Sequence, residues 1–139
     1  MYLVDTNVLS ESTKPVPDER VLEWLETHEP LVRVSVISLG EIHYGIELLT
    51  AGRKQSDLRK WLKELRATFA DSTLPVDDSV ELRWGALKAS GDRHGKKMPV
   101  IDSLLAATAL EHGMTIVTAD TGDFIHSGAR VLNPFKPAG

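Results

Sequence analysis

The sequence predicts an α/β fold in which helices cover both faces of a mostly parallel sheet. Segments typical of strands alternate with segments typical of helices along the chain. The strand segments are continuous apolar runs, the pattern of strands that are buried on both faces. With 139 residues, 42% hydrophobic and 26% charged, the composition is that of one globular domain. We expect a single domain over residues 1–139.

The first two predicted strands each lead towards a helix. Residues 2–5 form a short apolar run, and residues 18–28 follow two prolines and place their apolar side chains on one helical face. Residues 31–37 are mostly apolar and β-branched, which is typical of a strand. Ser38 follows them directly and is the predicted N-cap of the next helix.

The middle of the chain predicts two further helices around a brief strand. Residues 53–69 have the apolar spacing of an amphipathic helix, and residues 74–76 are the predicted strand. Asp77 or Asp78 is the predicted N-cap of the helix that follows. That helix runs towards a basic loop broken by glycines, GDRHGKK.

The last third predicts a helix and two strands. Pro99 suits the first turn of a helix, and Gly113 is expected to end that helix in the left-handed conformation. Residues 114–118 form the next predicted strand and are followed by the loop ADTGDF. Residues 129–132 are the last predicted strand.

Four acidic residues stand where predicted strands end or predicted helices begin. They are Asp5, Glu41, Asp102 and Asp120. Ligands of open parallel sheets bind beyond the carboxyl ends of the strands, so all four side chains are expected at one rim. Carboxylates that gather without basic partners repel one another, and a fold tolerates this mainly when cations neutralise them.

Each of these acids also has a local interpretation. Asp5 and Asp120 suit turns, Glu41 completes a capping box with Ser38, and Asp102 lies where a helix dipole favours a negative charge. These separate roles do not explain why all four meet at one edge of one sheet. Jointly they predict a site for Mg²⁺, with Mn²⁺ as a substitute, because both ions prefer oxygen ligands. The reaction expected of such a site is phosphodiester hydrolysis by a metal-activated water.

Charge and composition are compatible with that hypothesis. The net charge is −4, and the excess of acidic over basic residues, 20 − 16 = 4, equals the four acids of the predicted site. The net charge therefore does not exclude a nucleic acid as partner. The chain has no cysteine and no run approaching the roughly 20 apolar residues of a membrane span. We expect a cytoplasmic protein with no membrane partner.

Three segments resemble the successive motifs of the PIN-domain ribonucleases, and of the VapC and FitB type of toxin in particular. The segments are LVDTNVLSE, SVISLGEIHYGIELL and VIDSLLAATALEHGMTIVTADTGDF. The resemblance implies a PIN-like three-layer α/β/α fold with a mostly parallel sheet of about five strands. It also implies a Mg²⁺-dependent endoribonuclease acting on single-stranded RNA, the toxin of a type II toxin–antitoxin module.

The resemblance assigns roles residue by residue. Asp5, Glu41, Asp102 and Asp120 match the acidic quartet that holds the metal and performs catalysis, and Thr118 matches a hydroxyl residue beside the fourth acid. Asn7 is expected to orient Asp5 by hydrogen bonding. Asp123 matches a further acid that only some members have, and a role as a surface loop residue stays open for it.

The resemblance also implies partners. We expect a homodimer and a cognate antitoxin with a DNA-binding ribbon-helix-helix, which inserts a basic segment into the acidic groove and contacts DNA itself. The basic loop from Arg93 to Lys97 has two interpretations, a grip on RNA phosphates or a solvated turn.

Two alternative functions remain at this point. In the first alternative, the chain is a catalytically silent PIN-like module that binds RNA or a protein. In the second, it is a phosphotransferase that forms an aspartyl phosphate on Asp5. The second alternative prefers another Asp two residues later, where this chain has Asn7.

Overall fold

A computed structural model describes residues 1–135, which contain a five-stranded sheet with helices on both faces. The strands are β1 (Tyr2–Val4), β2 (Val32–Ser35), β3 (Thr73–Leu74), β4 (Thr115–Val117) and β5 (Val131–Leu132). Their order across the sheet is β3-β2-β1-β4-β5, and every neighbouring pair is parallel. The predicted three-layer α/β/α class is confirmed. The last four residues of the predicted domain lie outside the described range.

The helices connect and cover the strands. They are α1 (Thr6–Leu9), α2 (Glu19–His28), α3 (Val36–Glu47), α4 (Arg53–Thr68), α5 (Asp78–Arg93) and α6 (Val100–His112). Between residues 1 and 135, no helix is long and apolar enough to cross a membrane.

The hydrophobic core lies on both faces of the sheet. Val4 belongs to a cluster with residues of α1 to α4, including Ile42 and Leu62, whereas its neighbour Leu3 belongs to a second cluster with Leu105 of α6. Successive side chains of a strand point to opposite faces, so adjacent residues of β1 enter different clusters. Burial on both faces explains why the strands are continuous apolar runs.

The start of α3 differs from the sequence prediction. Strand β2 ends at Ser35, whose Oγ accepts a hydrogen bond from the Ile37 amide at 3.1 Å and caps the helix. Ser38 is not the N-cap, and the predicted capping box with Glu41 is wrong. The β-branched residues after Ser35 suit a strand, but their place in the packed helix outweighs that preference. Glu41 therefore lies in the second turn of α3, not the first.

The ends of the later helices follow the sequence more closely. Asp77 caps α5 by accepting a hydrogen bond from the Val80 amide at 3.0 Å. Gly113 ends α6 with φ +64°, a left-handed conformation that glycine adopts without a Cβ penalty. Pro99 stands directly before the first helical residue, one position earlier than predicted.

Candidate acidic site

The site is built where β1 and β4 end side by side. These strands are parallel neighbours, and the Asp5 amide extends their pairing by donating to the Val117 carbonyl at 2.9 Å. Asp5 and Thr118 each directly follow their strand, so their side chains start from the same rim of the sheet. Asp120 comes two residues later in the loop after β4.

Asp5 is held by hydrogen bonds from three neighbours. Its carboxylate is buried, with the residue 9% exposed. Oδ1 accepts from the Thr6 amide at 2.7 Å, and Oδ2 accepts from Thr118 Oγ1 at 2.8 Å and from Asn7 Nδ2 at 3.4 Å. Donors on both oxygens fix the orientation of the carboxylate, the function expected for a residue that supports a catalytic acid.

Asn7 links the ends of the two strands. Its Nδ2 lies 3.1 Å from Asp120 Oδ2 and 3.3 Å from Thr118 Oγ1, and its Oδ1 accepts from the Ala119 amide at 3.1 Å. Thr118 Oγ1 donates to Asp5 and accepts from the Asp120 amide at 3.0 Å. The residues predicted to support the site, Asn7 and Thr118, thus contact two of its acids directly.

Thr6 connects Asp5 to Glu41, a role that the sequence analysis missed. Its amide donates to Asp5, and its Oγ1 donates to Glu41 Oε1 at 3.0 Å. The sequence shows a hydroxyl residue directly after Asp5, but Glu41, which accepts its hydrogen bond, is 35 residues away. Only the packing of α1 beside α3 brings the two together.

Asp102 of α6 and Asp123 of the loop after β4 lie on elements that pack together, and both lack such support. Between residues 1 and 135, neither side chain takes part in a hydrogen bond. Burial raises the pKa of Asp102 to about 6, helped by the negative charges of Asp123, Asp5, Glu41 and Asp120. The negative charges of the other four acids therefore act on Asp102.

Burial also raises the pKa of Asp5, although the hydrogen bonds from Thr118 and Thr6 act in the opposite direction. The negative charges of Asp120 and Asp123 add to the increase. Within the described range, none of the five acids forms an ion pair with a lysine or arginine. The negative charge of the site is thus not neutralised by the protein itself.

The donors of this site fit a hard divalent cation in their chemistry. The candidate ligands, Asp5, Glu41, Asp102 and Asp120, all offer carboxylate oxygens, the type that Mg²⁺ and Mn²⁺ prefer. In the part of the chain that is described, however, no three acidic or histidine side chains stand close enough to hold an ion between them. Mutual repulsion disfavours closer approach, and a cation would remove that repulsion.

An open groove adjoins the site on the side of Glu41. It has a volume of about 940 Å³ and lies between α3, α4 and the turn after α1. Glu41 and Thr6 line its end nearest the acids, and Ile42, Ile46 and Trp61 contribute apolar walls. We call it the α3/α4 groove.

Comparison with known proteins gives consistent matches along the chain. The model of the family described as PIN domain matches residues 2–128. The Toxin FitB of Neisseria gonorrhoeae is 36% identical over 137 residues, which cover 97% of this chain and 99% of that protein. A VapC ribonuclease of Sinorhizobium fredii is 32% identical over 140 residues, covering 99% of this chain and 100% of that protein.

A solved structure extends the match to three dimensions. The structure of FitAB bound to a DNA fragment contains a chain that superposes with a TM-score of 0.92 at 36% identity. The match covers 100% of this chain and 99% of that chain. The fold that the sequence resemblance implies is therefore confirmed.

Proposed function

The chain belongs to the PIN domain family, and from that premise we propose that it is a metal-dependent endoribonuclease and the toxin of a toxin–antitoxin pair. The observation that carries the proposal is the gathering of acids without a neutralising cation from residues 1–135. Thr6 joins Asp5 to Glu41 and Asn7 joins Asp5 to Asp120 by hydrogen bonds, and the charge of Asp102 is within reach of the others. The relatives named a toxin and a VapC ribonuclease support the same function.

The residues of the site have two proposed roles, as metal ligands and as supports for the Asp5 carboxylate. Asp5, Glu41, Asp102 and Asp120 would hold Mg²⁺, or Mn²⁺ in its place. Bound there, the metal supplies an activated water and stabilises the leaving oxygen of the phosphodiester. Thr118, Asn7 and Thr6 keep the Asp5 carboxylate in one orientation.

The protonation of Asp102 should make metal binding depend on pH. Asp102, whose pKa is raised to about 6, is partly protonated in mildly acidic solution. It must lose that proton before its oxygens can bind a cation, so metal binding and RNA cleavage should both weaken as the pH falls below about 6.

The direct experiment is cleavage of single-stranded RNA by the purified protein with Mg²⁺. We expect cleavage that a chelator stops, and that Asp5→Asn and Asp102→Asn abolish while both variants remain folded. Asp71→Asn is the matched control, because Asp71 is exposed and lies before the amino end of the edge strand β3, whereas the site lies at the carboxyl ends of β1 and β4. Cleavage by Asp5→Asn or Asp102→Asn at the rate of the unsubstituted protein would exclude this function.

The proposed partner is an antitoxin with a basic segment. FitB, a relative across the whole chain, is named a toxin, and its solved complex FitAB is bound to DNA. For this chain we propose a ribbon-helix-helix antitoxin that contacts DNA, and a homodimeric toxin. Co-expression with the protein encoded next to this chain should restore growth and yield a stable complex, whereas continued toxicity without a complex would contradict the proposal.

One observation favours a second candidate, a PIN-like module that binds RNA or protein without catalysis. In the described part of the chain, the acids are not arranged to hold an ion as they stand. If the protein binds RNA but neither cleaves it nor binds Mn²⁺ in a calorimetric titration, this candidate replaces the nuclease.

A further inference from the structure

The acidic site leaves an electrostatic problem for an RNA substrate. Five carboxylates repel the phosphates on both sides of the bond to be cleaved, and the affinity of proteins for RNA comes largely from lysine and arginine contacts with phosphates. A basic surface beside the acids is therefore required. Such a surface lies next to Asp123.

Two cavities flank the loop between α5 and α6. The inner cavity has a volume of about 310 Å³, and Asp123 and Lys97 line it. The outer cavity has a volume of about 300 Å³, and Leu87 of α5 is one of its lining residues. Both cavities share Lys96, Met98 and His126. We call this pair the loop cavities.

The inner cavity adjoins the acidic site through Asp123. The Asp123 amide donates to the Asp120 carbonyl at 3.0 Å. Pro99, which directly precedes the helical turn that carries Asp102, lines the same cavity. A strand of RNA with its scissile phosphate at the acids can thus place the adjacent nucleotide at the loop cavities.

The cations of this loop have no acidic partner among residues 1–135. Lys96 and Lys97 are exposed and form no ion pair there, and the same is true of Arg93 at the end of α5. Lys88, on the wall of the outer cavity, is paired with Asp92 at 2.8 Å and is not one of these free cations. Lysines without a partner bind a phosphate without first breaking an ion pair.

The backbone of Lys96 is held against the end of α5. Gly95 has φ +71°, and the Lys96 amide donates to the Gly91 carbonyl at 2.8 Å, which together close the end of α5. A Cβ at Gly91 would lie 2.8 Å from the Lys96 carbonyl oxygen, so the close approach requires glycine. The position of the Lys96 backbone is therefore set by the end of α5 and needs no ligand.

The outer cavity has the character of a site for a base. Leu87 and Met98 form apolar walls, while Ser90 and His94 add polar groups at its edge. His94 Nδ1 lies 2.7 Å from the Ser90 carbonyl, which can only accept, so Nδ1 carries the proton and Nε2 is the nitrogen left for a ligand. A volume of about 300 Å³ is at the lower end of ligand sites.

From these observations we infer that the loop cavities bind the nucleotide next to the scissile phosphodiester of RNA. Lys96, Lys97 and His126 contact its phosphate, and its base lies between Leu87 and Met98. This assignment rests on the proposed ribonuclease function and adds to it a substrate subsite on one side of the acids only.

The test measures binding of a short fluorescein-labelled single-stranded RNA in the presence of a chelator, so that no cleavage occurs. Lys96→Ala with Lys97→Ala should weaken binding several-fold and reduce the slope of log K against log salt by about 0.7, because the two lysines neutralise one phosphate. The matched control is Lys60→Ala with Lys63→Ala, which removes the same charge from exposed positions of α4 that line neither cavity. The control should change neither quantity.

A second variant tests the base. Ser90→Trp fills the outer cavity and leaves the lysines in place, so it should weaken RNA binding while the salt slope stays unchanged. An RNA carrying 4-thiouridine should cross-link to the peptides that contain residues 87–98 or His126. Thermal unfolding of each variant checks that it is folded.

The possible results distinguish a failure of the subsite assignment from a failure of the proposed ribonuclease function. If the protein cleaves RNA but the Lys96 and Lys97 substitutions behave like the α4 control, or if cross-links form only in the α3/α4 groove, the subsite is wrong and the ribonuclease stands. If the unsubstituted protein neither binds nor cleaves RNA, both are wrong. Weaker binding with a lower salt slope, seen only in the loop variant, supports the subsite.

Discussion

The two sides of the acidic site are built differently. On the side of β1 and β4, Asp5 is buried and accepts hydrogen bonds from Thr6, Asn7 and Thr118. On the side of α6, Asp102 accepts none within residues 1–135, and its pKa is raised to about 6. The first side is held in shape by the protein itself, whereas the second side accumulates charge that the protein does not neutralise.

This difference indicates how such a site remains folded. Donors on a carboxylate stabilise its charged form, so the buried Asp5 is tolerated through its neighbours. Asp102 has no such compensation, and a bound cation would relieve its repulsion most. We therefore expect the loss of a donor to Asp5 to lower the stability and the loss of the Asp102 charge to raise it, although both changes reduce cleavage.

The largest expected effect is the loss of cleavage in Asp102→Asn. Removal of a proposed metal ligand should reduce RNA cleavage by more than about 100-fold, because changes to residues that merely support ligands already cost 10- to 100-fold. Without metal at pH 7, the same variant should unfold at a higher temperature than the unsubstituted protein, because one repelled charge is gone. A lower unfolding temperature would contradict the account of that side.

The supporting side is tested by Thr118→Val, which keeps the shape of the side chain and removes its hydroxyl. The change deletes the donor to Asp5 and the acceptor of the Asp120 amide. We expect cleavage to fall by about 10- to 100-fold. Thr68→Val is the control, since Thr68 is exposed and, among residues 1–135, its hydroxyl bonds only the Glu64 carbonyl. Equal rates for both variants would remove Thr118 from the site.

The sequence predicted the acids by their position along the chain and named Asn7 and Thr118 as supporting residues, but it missed Thr6. Asp5 and Asp120 follow apolar runs, and parallel strands bring their carboxyl ends together, so position alone predicts a shared rim. The hydrogen bonds of Asn7 and Thr118 join residues 111 to 113 positions apart in the chain and depend on the pairing of β1 with β4. No local pattern encodes such a distance.

The prediction failed where local preference and packing disagree. Residues after Ser35 are apolar and β-branched and were predicted as strand, yet they form the start of α3. The capping role assigned to Ser38 and Glu41 fell with that boundary. Glu41 takes no part in capping α3, and its side chain instead accepts a hydrogen bond from the hydroxyl of Thr6, beside Asp5.

A smaller effect is the pH dependence of stability without metal. An acid whose pKa is raised in the folded state stabilises that state below its unfolded pKa, here 3.8 for Asp102, and this contribution is lost as the pH rises through about 6. Asp5 acts in the same direction. The acids with lowered pKa, such as Glu47, are ionised in both states above pH ~5 and do not contribute there.

The free energy of unfolding should therefore decrease from pH 5 to 7 in the unsubstituted protein and decrease less in Asp102→Asn. Urea unfolding at several pH values measures both slopes. Parallel curves for the two proteins would show that Asp102 does not carry the unfavourable charge.

Calorimetric titration with Mn²⁺ tests the central claim most directly, because it asks whether the unneutralised acids bind a cation. The unsubstituted protein and Asp71→Asn should bind Mn²⁺ equally, and Asp102→Asn should bind it more than about 100-fold more weakly. Absence of Mn²⁺ binding in the unsubstituted protein, or equal binding by Asp102→Asn, would contradict the claim.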